Sequence, residues 1–225
     1  MTDVVLAPAK LTRSLRITGV RADGLHLIDA EMVSVDLADL LTFSGGDGLV
    51  LVGAAPDVPV DDTNLVRRAL ALAGRTAHVA VTKRIPSGAG LGGGSADAAA
   101  VLRWAGVDDV ELAAALGADV PFCLLGGRAR VTGVGEQLEP LPFEPRTFTL
   151  LTPPVHCSTA EVYRAWDALG GPTADGSNDL EPAALVVAPE LARWRDRLGD
   201  ATGLVPALAG SGSTWFVEAD APGDD

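Results

Sequence analysis

Lysine is almost missing from this chain: Lys10 and Lys83 are the only two, and every other basic residue is an arginine. Acidic residues outnumber basic ones 30 to 17, a formal charge of −13, which argues against a non-specific nucleic-acid binder. A chain this acidic can still hold phosphate, provided the donors are backbone N–H groups, helix termini or a few placed cations. Cysteine is scarce too. Cys123 and Cys157 make neither a CxxC pair nor a disulfide framework. The three histidines (His26, His78, His156) lack the HxxxH spacing of a protein-held zinc. No apolar run is long enough to span a bilayer and no signal peptide opens the sequence. The expectation is a soluble, cytoplasmic protein with no membrane or nucleic-acid partner.

What is present is a core. Apolar residues make up 48% of 225 positions, enough for one large domain or two modest ones. Period-two stretches read as strands of a mostly antiparallel sheet: "KLTRSLRITG", "HLIDAEMVSVD" and "LLTFSGGDGLVLVG". "DDTNLVRRALALAG" reads as an amphipathic helix capped by Asp or Thr and stopped by Gly74, and "AHVAVTKRI" as a strand. "SADAAAVLRWAG" is a helix closed by Gly106; "DDVELAAALG" is another, with Asp108 and Glu111 spaced as a capping box. "RARVTGVGEQLEPL" predicts a hairpin and "TFTLLTPP" a strand. "STAEVYRAWDAL" and "APELARWRDRL" predict helices, and "GSGSTWFVEA" a glycine turn feeding a strand. "LPFEP", residues 141–145, is the expected domain boundary, and the acidic tail "DAPGDD" is expected to fray. The class is α+β in two parts.

The most demanding stretch is "PSGAGLGGGSADAAAVL", with five glycines in the seven residues 88–94. Glycine permits positive φ and removes Cβ, so its N–H groups can converge on an anion. A helix starting at once adds its unpaired first-turn donors and the positive end of its dipole. Ser95 stands where a hydroxyl could cap that helix or reach a phosphate or its metal. "GAGLGG" satisfies GxGxxG, but a dinucleotide fingerprint belongs in a parallel βαβ unit, and antiparallel-looking strands precede this one. The P-loop pattern fails because Gly94 stands where lysine should follow Gly93, and no HRD or DFG set follows. Glycine chemistry alone thus gives a phosphate binder of unspecified type.

"PSGAGLGGGSADAA" closely resembles the phosphate loop of the GHMP kinase superfamily of small-molecule kinases. Within it, "APAKLTRSLRITGVRADGLH" resembles the N-terminal motif of the 4-diphosphocytidyl-2-C-methyl-D-erythritol kinase family, which phosphorylates an isoprenoid precursor. "DDTNLVRRAL", "LGADVPFCLLGGRARVTGVGE", "STAEVYRAWD", "SNDLEPAA" and "AGSGSTWF" continue the match in order. The resemblance implies the two-domain GHMP fold. Residues 1–143 would form a ribosomal-protein-S5-domain-2-like domain, and residues 144–225 a ferredoxin-like domain shorter than in typical members.

By the same resemblance Lys10 contacts the reacting hydroxyl and the transferring phosphate, and Asp119 is the general base or electrostatic partner of that hydroxyl. Gly88, Gly90, Leu91, Gly92, Gly93, Gly94 and Ser95 would hold ATP, with Ser95 a contact for Mg²⁺; Asn64 and Lys83 would lie near the adenosine. Thr12, Leu25, His26, Thr159, Tyr163, Gly210, Ser211 and Gly212 would form the substrate side, with His26 and Tyr163 at a cytosine. The substrate would be a CDP-linked methylerythritol or similar small alcohol, and the protein a monomer or homodimer. Without the resemblance, Lys10 reads as a solvated lysine, Asp119 as a turn aspartate and Gly210–Gly212 as a plain turn. Asn64 then reads as a helix start, Lys83 and His26 as strand-edge residues, and Tyr163 as half-buried. Asp97 reads as a first-turn residue complementing the helix dipole.

Two positions depart from the family pattern. Thr12 stands where members carry an asparagine, worth about 1 kcal/mol of hydrogen bonding. Leu25 stands where they carry a tyrosine, worth roughly 0.5–1.5 kcal/mol of ring contact. Both leave open a GHMP kinase acting on another alcohol (a sugar, homoserine or a mevalonate-type acceptor). A non-catalytic nucleotide-binding relative is the remaining alternative, opposed by the presence of Lys10, Asp119 and the whole glycine loop.

Overall fold

The computed structural model describes residues 2–53 and 58–220; the expected acidic tail lies, beyond Asp220, outside the described residues. Two long strands, β1 (Asp3–Val20) and β2 (His26–Ser44), pair antiparallel along nearly their whole length. On its other side β2 takes two partners: β5 (Arg128–Gly133) pairs with residues 28–33, and β4 (His78–Thr82) with residues 40–44. β6 (Gln137–Pro140) closes one edge as the predicted hairpin, and β3 (Gly48–Val52) lies outside β4.

β3 and β4 run parallel, joined through helix α1 (Leu65–Leu72). The strand entering the glycine stretch therefore does belong to a βαβ unit, against the sequence expectation. Alternation reports which face a strand buries and says nothing of its direction. The α1 cap is Asn64 rather than Asp or Thr: its Oδ1 accepts from Val66 N at 2.8 Å. Likewise α3 (Val110–Ala114) is capped by Asp109, which accepts from Glu111 N and Leu112 N, so the Asp108 capping box does not form.

Helix α2 (Gly93–Ala105) follows the loop, and Ala96 and Ala98–Leu102 are almost wholly buried. Small side chains let it lie against β1, α1 and α4 (Val120–Leu125) at once. The second sheet holds β7 (Arg146–Leu151), β8 (Ala207–Leu208) and β9 (Trp215–Asp220) in the order β7-β9-β8, with α5 (Thr159–Ala168), α6 (Glu181–Val187) and α7 (Leu191–Thr202) between. α4 and α6 were not expected; Pro121 and Pro182 sit in their first turns, where no N–H is needed.

Residues 141–145 join the two sheets, yet the apolar cores do not divide there. β9 sends Phe216 into a core with β1, β4 and α2, and Trp215 and Val217 into the other, with β2, β5, α5 and α7. Around the junction three arginines and three glutamates close a ring: Arg13, Glu31, Arg128, Glu144, Arg146 and Glu218, each touching the next and the last touching the first. No helix among the described residues is long and apolar enough to cross a membrane.

Candidate active site

Gly88, Gly90 and Gly92 all have φ near +70° (67°, 77° and 68°). The space around two of them also demands glycine. A Cβ on Gly90 would sit 2.3 Å from Ala209 O and 2.7 Å from Gly212 O; one on Gly92 would sit 2.8 Å from Lys10 Cγ. The loop is thus pressed between the Gly210–Gly212 turn and Lys10, and Lys10 N donates to Leu91 O at 3.1 Å. Gly92 is the N-cap of α2, and the first helical bond runs from Ala96 N to Gly92 O at 2.8 Å. The amides of Gly93, Gly94 and Ser95 have no carbonyl earlier in the helix to bond. Ser95, in the first turn of α2, lines the cavity.

Leu91 is a correction. Its side chain is buried in the core and does not line the cavity, so it anchors the loop and offers a ligand nothing. Lys83 is another. Its ammonium is held by Asp39 and, at 2.7 Å, by Asp97. Asp39 also accepts from the amides of Arg84 and Ile85, so this pair fastens the start of the loop. Burial works against the Lys83 charge, but Asp97 and Asp39 outweigh it and leave its pKa raised. Asp97, expected to complement the dipole in the first turn, is instead buried, and its Oδ1 has no partner among the described residues. Two carboxylates sharing one ammonium leave a buried net charge, and burial pushes the Asp97 carboxyl up to about 7. Asn64 starts a helix and lines the cavity: its amide caps α1 and donates to Pro59 O at 2.6 Å.

Lys10 is 5% exposed, not solvated. Irregularities between Pro8 and Lys10 and between Thr12 and Ser14 bracket it, and such register shifts re-aim side chains. Its Nζ lies 3.3 Å from Asp119 Oδ2 and donates to Thr12 Oγ1 at 3.1 Å. Thr12 therefore orients Lys10 with the hydroxyl expected to meet substrate. Asp119 is the N-cap of α4 but its side chain caps nothing, which leaves the carboxylate to face Lys10. Nearby Cys123 is no nucleophile; burial, with Asp119 adding, pushes its thiol up to about 12. Asn178, with no role read from the sequence, donates to Leu208 O and Gly210 O and so fixes the turn that backs Lys10 and Gly90. Its neighbour Asp179 accepts from Arg16 Nη1 and Ile17 N, tying that turn to β1.

The far end is built from side chains. His26 packs on Tyr163 with ring centroids 4.7 Å apart, and Leu25 stands half exposed at the rim. Thr159 Oγ1 and Ser211 Oγ are hydrogen-bonded at 2.8 Å. Burial, with Asp119 adding, pushes the Tyr163 hydroxyl up to about 12, so it remains a neutral donor. One cavity of about 1010 Å³ is lined by every expected site residue except Leu91. No cluster of three or more His, Cys, Asp or Glu among the described residues could hold a metal unaided.

The glycine loop lies beside the buried Lys10 and the partly exposed Asp119, and the family described as "GHMP kinases N terminal domain" matches residues 63–127, from α1 to the turn after α4. A homoserine kinase from Cytophaga hutchinsonii, 21% identical, shares the fold with a TM-score of 0.59 over 97% of this chain and 86% of that one. A 4-diphosphocytidyl-2-C-methyl-D-erythritol kinase from Paracoccus denitrificans is 40% identical over 93% of this chain and 84% of its own length. A crystal structure of 4-(cytidine 5'-diphospho)-2C-methyl-D-erythritol kinase is 38% identical, with a TM-score of 0.77 over 99% of this chain and 91% of that one. The chain belongs to the 4-diphosphocytidyl-2-C-methyl-D-erythritol kinase family.

Proposed function

We propose that this protein transfers the γ-phosphoryl group of ATP to a hydroxyl of 4-diphosphocytidyl-2-C-methyl-D-erythritol. The observation that carries the reading is the Lys10–Asp119 pair, 3.3 Å apart beside the glycine cradle. The triphosphate lies against the amides of Gly93, Gly94 and Ser95, where a helix N-terminus supplies the positive field this acidic chain lacks elsewhere. Lys10 holds the transferring phosphoryl group, and Asp119 orients the acceptor hydroxyl and takes its proton. Phosphoryl transfer asks for positioning and charge stabilisation more than covalent chemistry, and this pair supplies both. Mg²⁺ would be held chiefly by the nucleotide, with the Ser95 hydroxyl as a protein contact, and would neutralise phosphate charge. His26 and Tyr163 meet the cytosine, with Leu25 at the open rim. The same reading divides the chain at 143/144, the first part holding the donor and both parts gripping the acceptor.

The test is ADP release with this substrate. Turnover no higher than the background ATPase would reject the assignment. Asp119→Ala should lower kcat at least ~100-fold while nucleotide affinity changes little; unchanged turnover would reject the mechanism. A second reading, a different small alcohol as acceptor, is favoured by Leu25, whose exposed aliphatic side chain offers a base no ring to stack on. A panel of sugar, homoserine and mevalonate-type acceptors separates the two.

A further inference from the structure

His26 is the first residue of β2, and three side chains of one helix hold its ring. Tyr163 packs on it at 4.7 Å, Trp166 meets it edge-on at 5.5 Å, and Asp167 Oδ1 lies 2.8 Å from its Nε2. The three follow the i, i+3, i+4 spacing that puts side chains on one helical face. Asp167 is half exposed, so its pairing adds little to stability. What it does is orient. A carboxylate only accepts, so Nε2 carries the proton, and in the neutral ring Nδ1 is left as a bare acceptor. Nδ1 has no hydrogen-bond partner among the described residues, and His26 and Asp167 both line the acceptor end of the cavity.

We propose that Asp167 is a specificity-determining positioning residue: by fixing the Nε2–H tautomer of His26 it makes Nδ1 an acceptor that selects a pyrimidine bearing an exocyclic amino group. This rests on the reading that a cytosine is bound here. Cytosine offers an amino donor where uracil offers a carbonyl oxygen, and an acceptor facing that oxygen leaves both groups unpaired. Asp167 thereby sets which base is read without touching the base. An asparagine in its place can donate to Nε2, which moves the ring proton to Nδ1 and turns the acceptor into a donor.

The test begins with binding, because CDP and UDP titrated by calorimetry involve no phosphoryl transfer. The wild type should bind CDP at least ~10-fold more tightly than UDP, and Asp167→Asn should narrow or abolish that ratio. Asp167→Glu, which restores the carboxylate, should recover most of it. The ¹⁵N shifts of His26 should report Nε2–H in the wild type and a shift toward Nδ1–H in Asp167→Asn. Steady-state assays should show the loss in KM for the cytidine substrate, with kcat and the KM for ATP within about twofold. The proposal is overturned if the wild type does not prefer CDP, if Asp167→Asn keeps the preference, if CDP and UDP weaken equally, or if wild-type His26 carries its proton on Nδ1. A CDP preference that depends on Asp167, without turnover of the cytidine substrate, would support this proposal while rejecting the kinase assignment above.

Discussion

The two ends of the cavity are made of different material. At the proposed donor end the cavity is walled by glycine backbone, and the side chains of Leu91, Lys83, Asp39 and Asp97 hold that backbone in place, Lys83 and Asp97 from the cavity wall. At the proposed acceptor end the cavity is walled by side chains: Leu25 just before β2, His26 at its start, and Thr159 and Tyr163 on α5. A triphosphate is the same in every reaction of this class, so rigid backbone can be built around it once. An acceptor differs from one enzyme to the next, and side chains can be exchanged without rebuilding the chain path. The donor end should therefore be brittle and the acceptor end adjustable.

The largest expected effect is at the donor end. Gly90→Ala places Cβ against two carbonyl oxygens at positive φ, and should cost at least ~3 kcal/mol. Urea denaturation should show the loss, with nucleotide binding lost alongside; a mild effect on both would mean that the loop is not clamped against the Gly210–Gly212 turn.

Intermediate in size is Asp97→Asn. The folded carboxyl titrates at about 7 against 3.8 for an ordinary aspartate, so between those values the folded state holds a proton that the unfolded chain has released. Its contribution is complete below the lower value and is lost as pH rises through the upper one, at a slope of at most ~1.4 kcal/mol per unit. Denaturation at about pH 4 and about pH 8 should thus show the wild type losing ground to the Asn variant as pH rises. A difference independent of pH would place the proton elsewhere.

The smallest is Leu25→Tyr at the adjustable end. Adding a ring at the rim should lower KM for the cytidine substrate about 2- to 10-fold through roughly 0.5–1.5 kcal/mol of contact, leaving kcat alone. Weaker binding would show that the rim is already occupied by its own packing.

Much of the donor end can be read from the sequence, because only glycine satisfies positive φ and close approach together, and Gly88, Gly90 and Gly92 announce both. Lys10 and Asp119 carry no such mark; they are far apart in the chain, and only resemblance pairs them. The ion pairs of Lys83 could not be read from the sequence, because the two aspartates that claim it lie on β2 and α2 and meet only in the fold. Asp167 and Asn178 escaped for the same reason, since each acts on a group from a distant segment. Pro121 and Pro182 hid two helices by serving as starts where proline is commonly read as a stop. The parallel β3–β4 pair was hidden because strand direction depends on a crossover that side-chain patterning does not encode.

Strand β9 carries one further consequence. With Phe216 in one core and Trp215 and Val217 in the other, neither body of side chains is complete without the same six-residue strand. Loss of β9 would therefore open both cores at once.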